Sequence, residues 1–326
     1  MTNIPFMKMV GAGNDFIVVD ARRRRRLIYG APRAEPVVPL RPPVGRNPER
    51  AHGQRPWCES KDCWPQVARA LCDRHTGIGA DGLLVLEPSR SAAARMRVFN
   101  PDGSEAEMCG NGARCVARYL AASSPARAAA RRVAIETAAG RITASVRGER
   151  VAMRLTDPTE LALRRSLTVG GRRETLGFVN TGVPHAVVPV ADLERVDVAQ
   201  RGRLLRRHPA FAPRGANVNF IQPDRTRRAR LRVRTYERGV EAETLACGTG
   251  IAASAVIYGL TNGQPMSNGR PAVHRMEVQA RSGDVLGVSF TARATRRGAQ
   301  VTGLVLDGPA RVVFSGVAAW PLRAGT

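Results

Sequence analysis

Alternation of apolar and polar positions divides the chain into short strands separated by glycine turns. Residues 5–20, PFMKMVGAGNDFIVVD, read as strand, tight polar turn (Gly11 to Asp15) and strand. The pattern resumes at Val67, where VARALCDRHTGIGADGLLVLEP predicts a helix, a glycine turn and a buried strand. RMRVFNPDGSEAEMCGNGARCVARYLAA, from Arg95, adds a strand, a turn and a helix. Period-2 strands follow in RVAIETAAGRITASVRGERVAMRL. A new unit begins near Thr168 and repeats the order. TLGFVNTGVPHAVVPV is strand, turn, strand; DVAQRGRLLRRHP is helical; GANVNFIQP and RLRVRTYERG are strands. LACGTGIAASAVIYGL is a second glycine-headed helix, and alternating strands close the chain.

The repeat extends to details. Gly103-Ser104-Glu105-Ala106-Glu107 precedes Cys109, and Gly239-Val240-Glu241-Ala242-Glu243 precedes Cys247. Both read G-x-E-A-E, with upstream Arg-Val strands at Arg97 and Arg232. The matched order predicts an α/β chain of two related halves facing each other. The halves are placed at 1–155 and 156–326, with the last strand, near 309–316, packing back on the first half.

Between Ala21 and Pro65 the texture changes to RRRRR, eight prolines and little periodicity. This stretch predicts an inserted, partly disordered segment. His52, Cys58 and Cys63 there approach Cys72 and His75, but the spacings lack the paired C-x-x-C pattern of a zinc site, and no metal is expected.

Composition narrows the chemistry. The net charge of +24 invites a nucleic-acid partner. However, the basic residues run along the whole chain, and all except Lys8 and Lys61 are arginine. A solvated basic surface is therefore favoured over nucleic-acid binding, with Arg22 to Arg26 as the rival's best segment. Two lysines also leave little room for a pyridoxal Schiff base, and no cofactor is expected. No apolar run is long enough to span a membrane, and no export signal is evident, so a cytoplasmic setting with reduced thiols is expected.

Two of the six cysteines, Cys109 and Cys247, stand at matching helix entrances. One Cys-Gly before a helix fits a small packing residue as well as a reactive thiol. Two in matched halves favour chemistry. Helix starts present open N–H groups and partial positive charge, which lower a thiol pKa and hold a carboxylate. One thiolate then removes the proton alpha to that carboxylate, and the opposite thiol returns one to the other face. Cys72 and Cys115 read as core.

The motifs GAGNDF, CDRHTGIGADG, FNPDGSEAEMCGNGARC, NTGVPH, GANVNF, YERGVEAETLACGTG and GPARVVFSG, in that order, resemble those of the diaminopimelate epimerases. The resemblance covers nearly everything outside 21–65. It implies two pseudo-symmetric α/β domains, each with strands wrapped around a central helix, and a pyridoxal-independent isomerase. That enzyme converts LL-2,6-diaminopimelate to the meso form in lysine and cell-wall precursor synthesis, as a homodimer. Carried over, Cys109 and Cys247 are the acid–base pair. Gly110, Asn111, Gly248 and Thr249 hold the reacting carboxylate. Asn14, Asn100, Asn217, Glu237 and Arg238 bind the substrate's other polar groups, and His185 and Glu237 help poise the thiols. Val183 stands where many members have asparagine, and Gly82 where some have glutamine. Val183 keeps open an alternative, a racemase or epimerase of the same architecture acting on proline, hydroxyproline or another amino acid.

Overall fold

A computed structural model describes residues 2–22, 63–123, 131–227, 229–262, 270–296 and 298–320. Most of the 21–65 insertion, including His52, Cys58, Lys61 and Arg23 to Arg26, lies outside the described residues. At its leading edge Arg22 pairs with Asp20 of the preceding strand at 2.6 Å.

Among the described residues four α-helices punctuate the strands: α1 (Trp64–Cys72), α2 (Gly110–Ala122), α3 (Val198–Arg206) and α4 (Gly248–Asn262). Eighteen strands among the described residues form one continuous pairing network. Its connections repeat in the two halves. Thr2–Gly11 and Asn14–Asp20 form a hairpin, as do Arg172–Asn180 and Pro184–Pro189. Asn14–Asp20 then runs parallel to Gly82–Glu87, and Pro184–Pro189 parallel to Asn217–Pro223. Ala94–Phe99 runs parallel to Arg131–Thr137, and Arg230–Glu237 to Ala272–Gln279.

The burial pattern explains the short apolar runs. In Asn14–Asp20, Phe16 and Val18 face the core around α2, while Ile17 and Val19 face the core around α1. Leu84 and Leu86 divide from Leu83 and Val85 in the same way. Strands covered on both faces have no reason to alternate in polarity. In the other half Val179, Val187 and Ile221 face α4, and Phe178, Val188 and Phe220 face α3. Helix α4 is apolar nearly all round, because strands enclose it: Ile251, Ala252, Ala255 and Val256 are each 0% exposed.

Two strand pairs join the halves. Arg150–Arg154 lies antiparallel to Gly298–Pro309, and Thr2–Gly11 antiparallel to Arg311–Trp320. The final strand thus pairs with the first. Thr159–Val169, which runs up to the point near Thr168 where alternation begins again, pairs with Arg172–Asn180 as its counterpart.

The structure shifts the internal repeat by two residues. Arg97 clasps Glu105 with both forks, at 2.8 and 2.7 Å, and Arg234 clasps Glu243 at 2.7 Å twice. Glu105 therefore corresponds to Glu243, not Glu241, and Arg97 to Arg234, not Arg232. Gly103 then matches Glu241, both at positive φ (84° and 57°). The string G-x-E-A-E aligns identical letters because the glycine of the second turn, Gly239, sits two residues earlier than the conformation it resembles.

Among the described residues no helix is long and apolar enough to cross a membrane. Among the described residues Cys72, Cys109, Cys115 and Cys247 are free, whereas Cys63 is disulfide-bonded, which departs from the expectation of reduced thiols. No cluster of metal-ligating side chains occurs among the described residues.

Candidate active site at two cysteine-headed helix starts

The starts of α2 and α4 are built alike. Cys109 is the cap of α2, with extended backbone; its carbonyl accepts from Ala113 N at 2.8 Å and its Sγ from Gly112 N at 3.4 Å. Cys247 O accepts from Ile251 N at 2.9 Å. Its Sγ lies 3.5 Å from Thr249 Oγ1 and faces the N–H groups of Thr249 and Gly250. Each thiol thus sits over a ring of helix-start donors that favour negative charge. Close packing behind each start requires glycine. A Cβ on Gly112 would come within 2.9 Å of Leu84 Cδ2, and one on Gly250 within 2.2 Å of Asn219 Oδ1. At Gly110 a Cβ would meet nothing within 4 Å, which leaves the α2 donors approachable.

Asn111 ties the two starts together. Its Nδ2 donates to Asn14 Oδ1 at 2.6 Å and, across the halves, to Ala246 O at 3.3 Å; its Oδ1 accepts from Arg114 at 2.6 Å. Asn14 in turn donates to Asp81 at 2.9 Å. Its hairpin turn uses Ala12 and Gly13, both at positive φ (53° and 90°), and presses on the other half: a Cβ on Gly13 would lie 2.6 Å from Ser282 Cβ. Lys8 and Arg74 anchor Asp15 beside it, each at 2.8 Å. Burial opposes the ionised form of Asp15, but the Arg74 and Lys8 contacts outweigh it and hold the carboxyl well below its usual range.

Glu237 lies within electrostatic reach of both sulfurs. Burial raises its own pKa. Its neighbour Arg238 is half-buried, with Nη1 3.5 Å from Arg214 O. Asn217 directs its amide to the backbone, accepting from Arg238 N at 2.7 Å and donating to Pro184 O at 3.4 Å. It therefore sets the placement of Arg238. Asn100 is exposed, and its side chain donates to Ser104 within its own turn. No hydrogen bond links it to either helix start among the described residues. Thr181, from the NTGVPH loop, donates to Thr249 O at 3.0 Å and carries half-buried Val183 to the α4 start. Gly82 is buried, and a Cβ there would stand 3.0 Å from Phe99 O.

His185 is 0% exposed, and burial, with the Arg238 charge, pushes its pKa down to about 3. Its Nδ1 accepts from Asn219 Nδ2 at 3.1 Å, since that nitrogen also donates to Ala186 O. A neutral imidazole with its proton on Nε2 follows. No hydrogen bond joins it to either sulfur.

One expectation is corrected. Helix starts were expected to lower both thiol pKa values. Burial outweighs the N–H donors. Cys109 is raised by burial, against lowering contributions from Gly112 N–H, the Arg114 charge and Asn111 N–H. Cys247, 7% exposed, is pushed up to about 12 by burial and then by the Glu237 charge.

A profile described as diaminopimelate epimerase matches residues 58–160 and 177–286, one segment in each half. A diaminopimelate epimerase from Aquifex aeolicus is 38% identical over 293 residues, covering 88% of this chain and 90% of that protein. One from Pelotomaculum thermopropionicum is 38% identical over 328 residues, covering 95% and 97%. The chain belongs to the diaminopimelate epimerase family. Its fold is shared more widely: the crystal structure of a probable proline racemase from Agrobacterium radiobacter superposes with a TM-score of 0.61 at 18% identity, covering 98% of this chain and 93% of that one.

Three site residues escape sequence reasoning in this family member. Asp81 orients Asn14, Asn219 fixes the His185 tautomer, and Arg114 braces Asn111. Only Arg114 leaves a sequence signal. It stands three residues after Asn111 in the helix, a spacing that puts both on one face.

Proposed function

We propose that the chain epimerises LL-2,6-diaminopimelate to meso-diaminopimelate without a cofactor, Cys109 and Cys247 acting as the acid–base pair. The observation that carries this reading is the meeting of two cysteine-headed helix starts, linked across the halves by Asn111. The substrate carboxylate docks on the N–H groups of Gly110, Asn111, Gly248 and Thr249. One sulfur, as thiolate, takes the alpha proton, and the negative charge spreads into the carboxylate, where the two sets of donors receive it. The opposite thiol gives its proton to the other face. The two sulfurs end with exchanged protonation, and solvent resets them. Arg238 suits a carboxylate and Glu237 an ammonium. Asn14, Asn100 and Asn217 complete the polar surroundings, Asn217 by placing Arg238.

The raised thiol pKa values fit a site that works when filled. A carboxylate and ammonium entering between the helix starts change the field at both sulfurs, and a thiolate held out of water is a stronger base than a solvated one. The chain acts in lysine and cell-wall precursor synthesis in the cytoplasm. It acts as a homodimer, a reading supported by exposed Val313, Phe314 and Val317 on the final strand.

Alpha-proton exchange during turnover in deuterated water tests the chemistry. LL-diaminopimelate is expected to yield meso product carrying one alpha deuteron at the inverted centre. Turnover of proline or hydroxyproline, with diaminopimelate untouched, overturns the substrate and favours the racemase alternative.

A further inference from the structure

Arg114 is a charged group with no charged partner. It is 0% exposed, within helix α2. Its Nη2 donates to Asn111 Oδ1 at 2.6 Å, while Nε and Nη1 have no hydrogen-bond partner. Among the described residues no carboxylate lies within ion-pair distance of it. The guanidinium is wedged between the halves. A Cβ on Gly248 would stand 3.8 Å from its Nη1, and one on Gly308 would stand 3.1 Å from its Nε. A buried cation without a counter-ion is strongly disfavoured. Its retention at this place calls for a negative charge that belongs to the working site.

The charged and titratable groups that face it are few. Cys109 and Cys115 share its helix, and Asp284 and Asp307 approach from the other half. Both aspartates pair with arginines of their own and neither lies within ion-pair distance of Arg114: Arg311 stands 3.2 Å from Asp284, and Arg150 2.9 Å from Asp307 Oδ2, while Asp307 Oδ1 is buried without a partner. Cys115 is 0% exposed and pushed up to about 12 by burial. Cys109 remains. It is half-buried at the α2 start, and Glu237 is the negative group that faces it. The equivalent of Arg114 in the second half, five residues after Cys247, is Ala252. The pseudo-symmetry is thus broken at this position, where α2 carries a cation and α4 does not.

We propose that Arg114 is a positioning residue that makes Cys109 the first of the two thiols to ionise, leaving Cys247 as the protonated partner, and that braces Asn111 while doing so. The inference rests on the two-cysteine reading above. It gives the site a defined order of ionisation: the α2 thiol first, the α4 thiol second.

Alkylation of each cysteine by iodoacetamide, followed against pH with peptide mapping and no substrate present, tests this directly. In the wild-type protein the midpoint for Cys109 is expected at least about 1 pH unit below that for Cys247. Arg114→Met is expected to raise the Cys109 midpoint by about the same amount, to slow its alkylation at neutral pH about tenfold, and to leave Cys247 in place. The acid limb of kcat/KM for epimerisation should move up in step. Arg114→Lys keeps the charge and should restore most of the shift. A folded Arg114→Met protein with an unmoved Cys109 midpoint overturns the proposal, as does a Cys247 midpoint at or below that of Cys109 in the wild type, should the variant not fold. Thiol midpoints are read without turnover, so they bear on Arg114 whatever the substrate. Undiminished epimerisation by Cys109→Ser would instead overturn the two-cysteine reading.

Discussion

The two helix starts share a backbone plan and differ in what surrounds the sulfur. On α2, Cys109 keeps some exposure, Asn111 spans the halves and Arg114 stands behind it. On α4, Cys247 is enclosed, Thr249 replaces Asn111 and alanine replaces the arginine. The two halves present similar donor rings in unequal surroundings. An enzyme that inverts a stereocentre needs equivalent reach to both faces, but it needs unequal protonation to begin. Geometry is conserved between the halves where the first demand acts, and charge diverges where the second does.

The largest test of this comparison is removal of either sulfur. Cys109→Ser and Cys247→Ser are each expected to lower kcat by about 10²- to 10⁴-fold, the usual worth of a positioned acid or base. Net inversion needs both faces, so both should fall. If one variant kept wild-type turnover, the site would be a one-base site with a packing cysteine. A smaller but still large effect is expected at the link between the starts. Asn111→Ala removes the bonds to Asn14, Ala246 O and Arg114, and strands the buried guanidinium. A loss of about 2–3 kcal/mol in unfolding free energy is expected, with reduced kcat/KM. Urea denaturation beside steady-state kinetics would show it. A loss below about 0.5 kcal/mol would mean that the halves are held without this link.

The next effect is a pH dependence confined to the second half. His185 is buried and neutral, with its pKa at about 3, while an unfolded histidine titrates near 6.5. Between those values the unfolded chain binds a proton that the folded chain refuses. Stability is therefore full above about pH 6.5 and falls as pH drops toward 3. From pH 7 to pH 5 the loss attributable to His185 is about 2 kcal/mol, in a range where ordinary carboxylates do not yet titrate. His185→Gln should flatten that slope in urea titrations at the two pH values. An unchanged slope would place the acid sensitivity elsewhere, with His274, also lowered by burial, the next group to vary.

Much of this site was legible before the structure. The cysteines, their glycines and the repeated element order are local patterns, and local patterns survive in sequence. What was not legible depends on distance in space. Arg114 reads as one arginine among many until its exposure is known. The Asn111 link to Ala246 joins residues 135 positions apart. Thiol pKa values were expected low because helix starts are visible in sequence and burial is not. The repeat was placed two residues out because identical letters outweighed matching conformation, and only the paired Arg–Glu clasps reveal the register.

Those clasps provide the smallest test. Arg97–Glu105 and Arg234–Glu243 are the same bidentate pair in the two halves, so register alone predicts equal worth. Their settings differ. Glu105 is 39% exposed, whereas Glu243 is 24% exposed. Arg234 also donates to Leu193 O at 2.9 Å and Val196 O at 3.2 Å, fastening the loop ahead of α3. Arg97 has a further contact with Glu87 at 3.3 Å. Exposed ion pairs contribute less than about 1 kcal/mol, while charged donors to buried carbonyls contribute about 1.5–3 kcal/mol. Arg234→Met should therefore destabilise by about 2 kcal/mol and Arg97→Met by about 1 kcal/mol or less, with high salt reducing the second effect more than the first. Equal losses with equal salt dependence would mean that the clasp itself carries the energy and that the loop contacts add nothing to it.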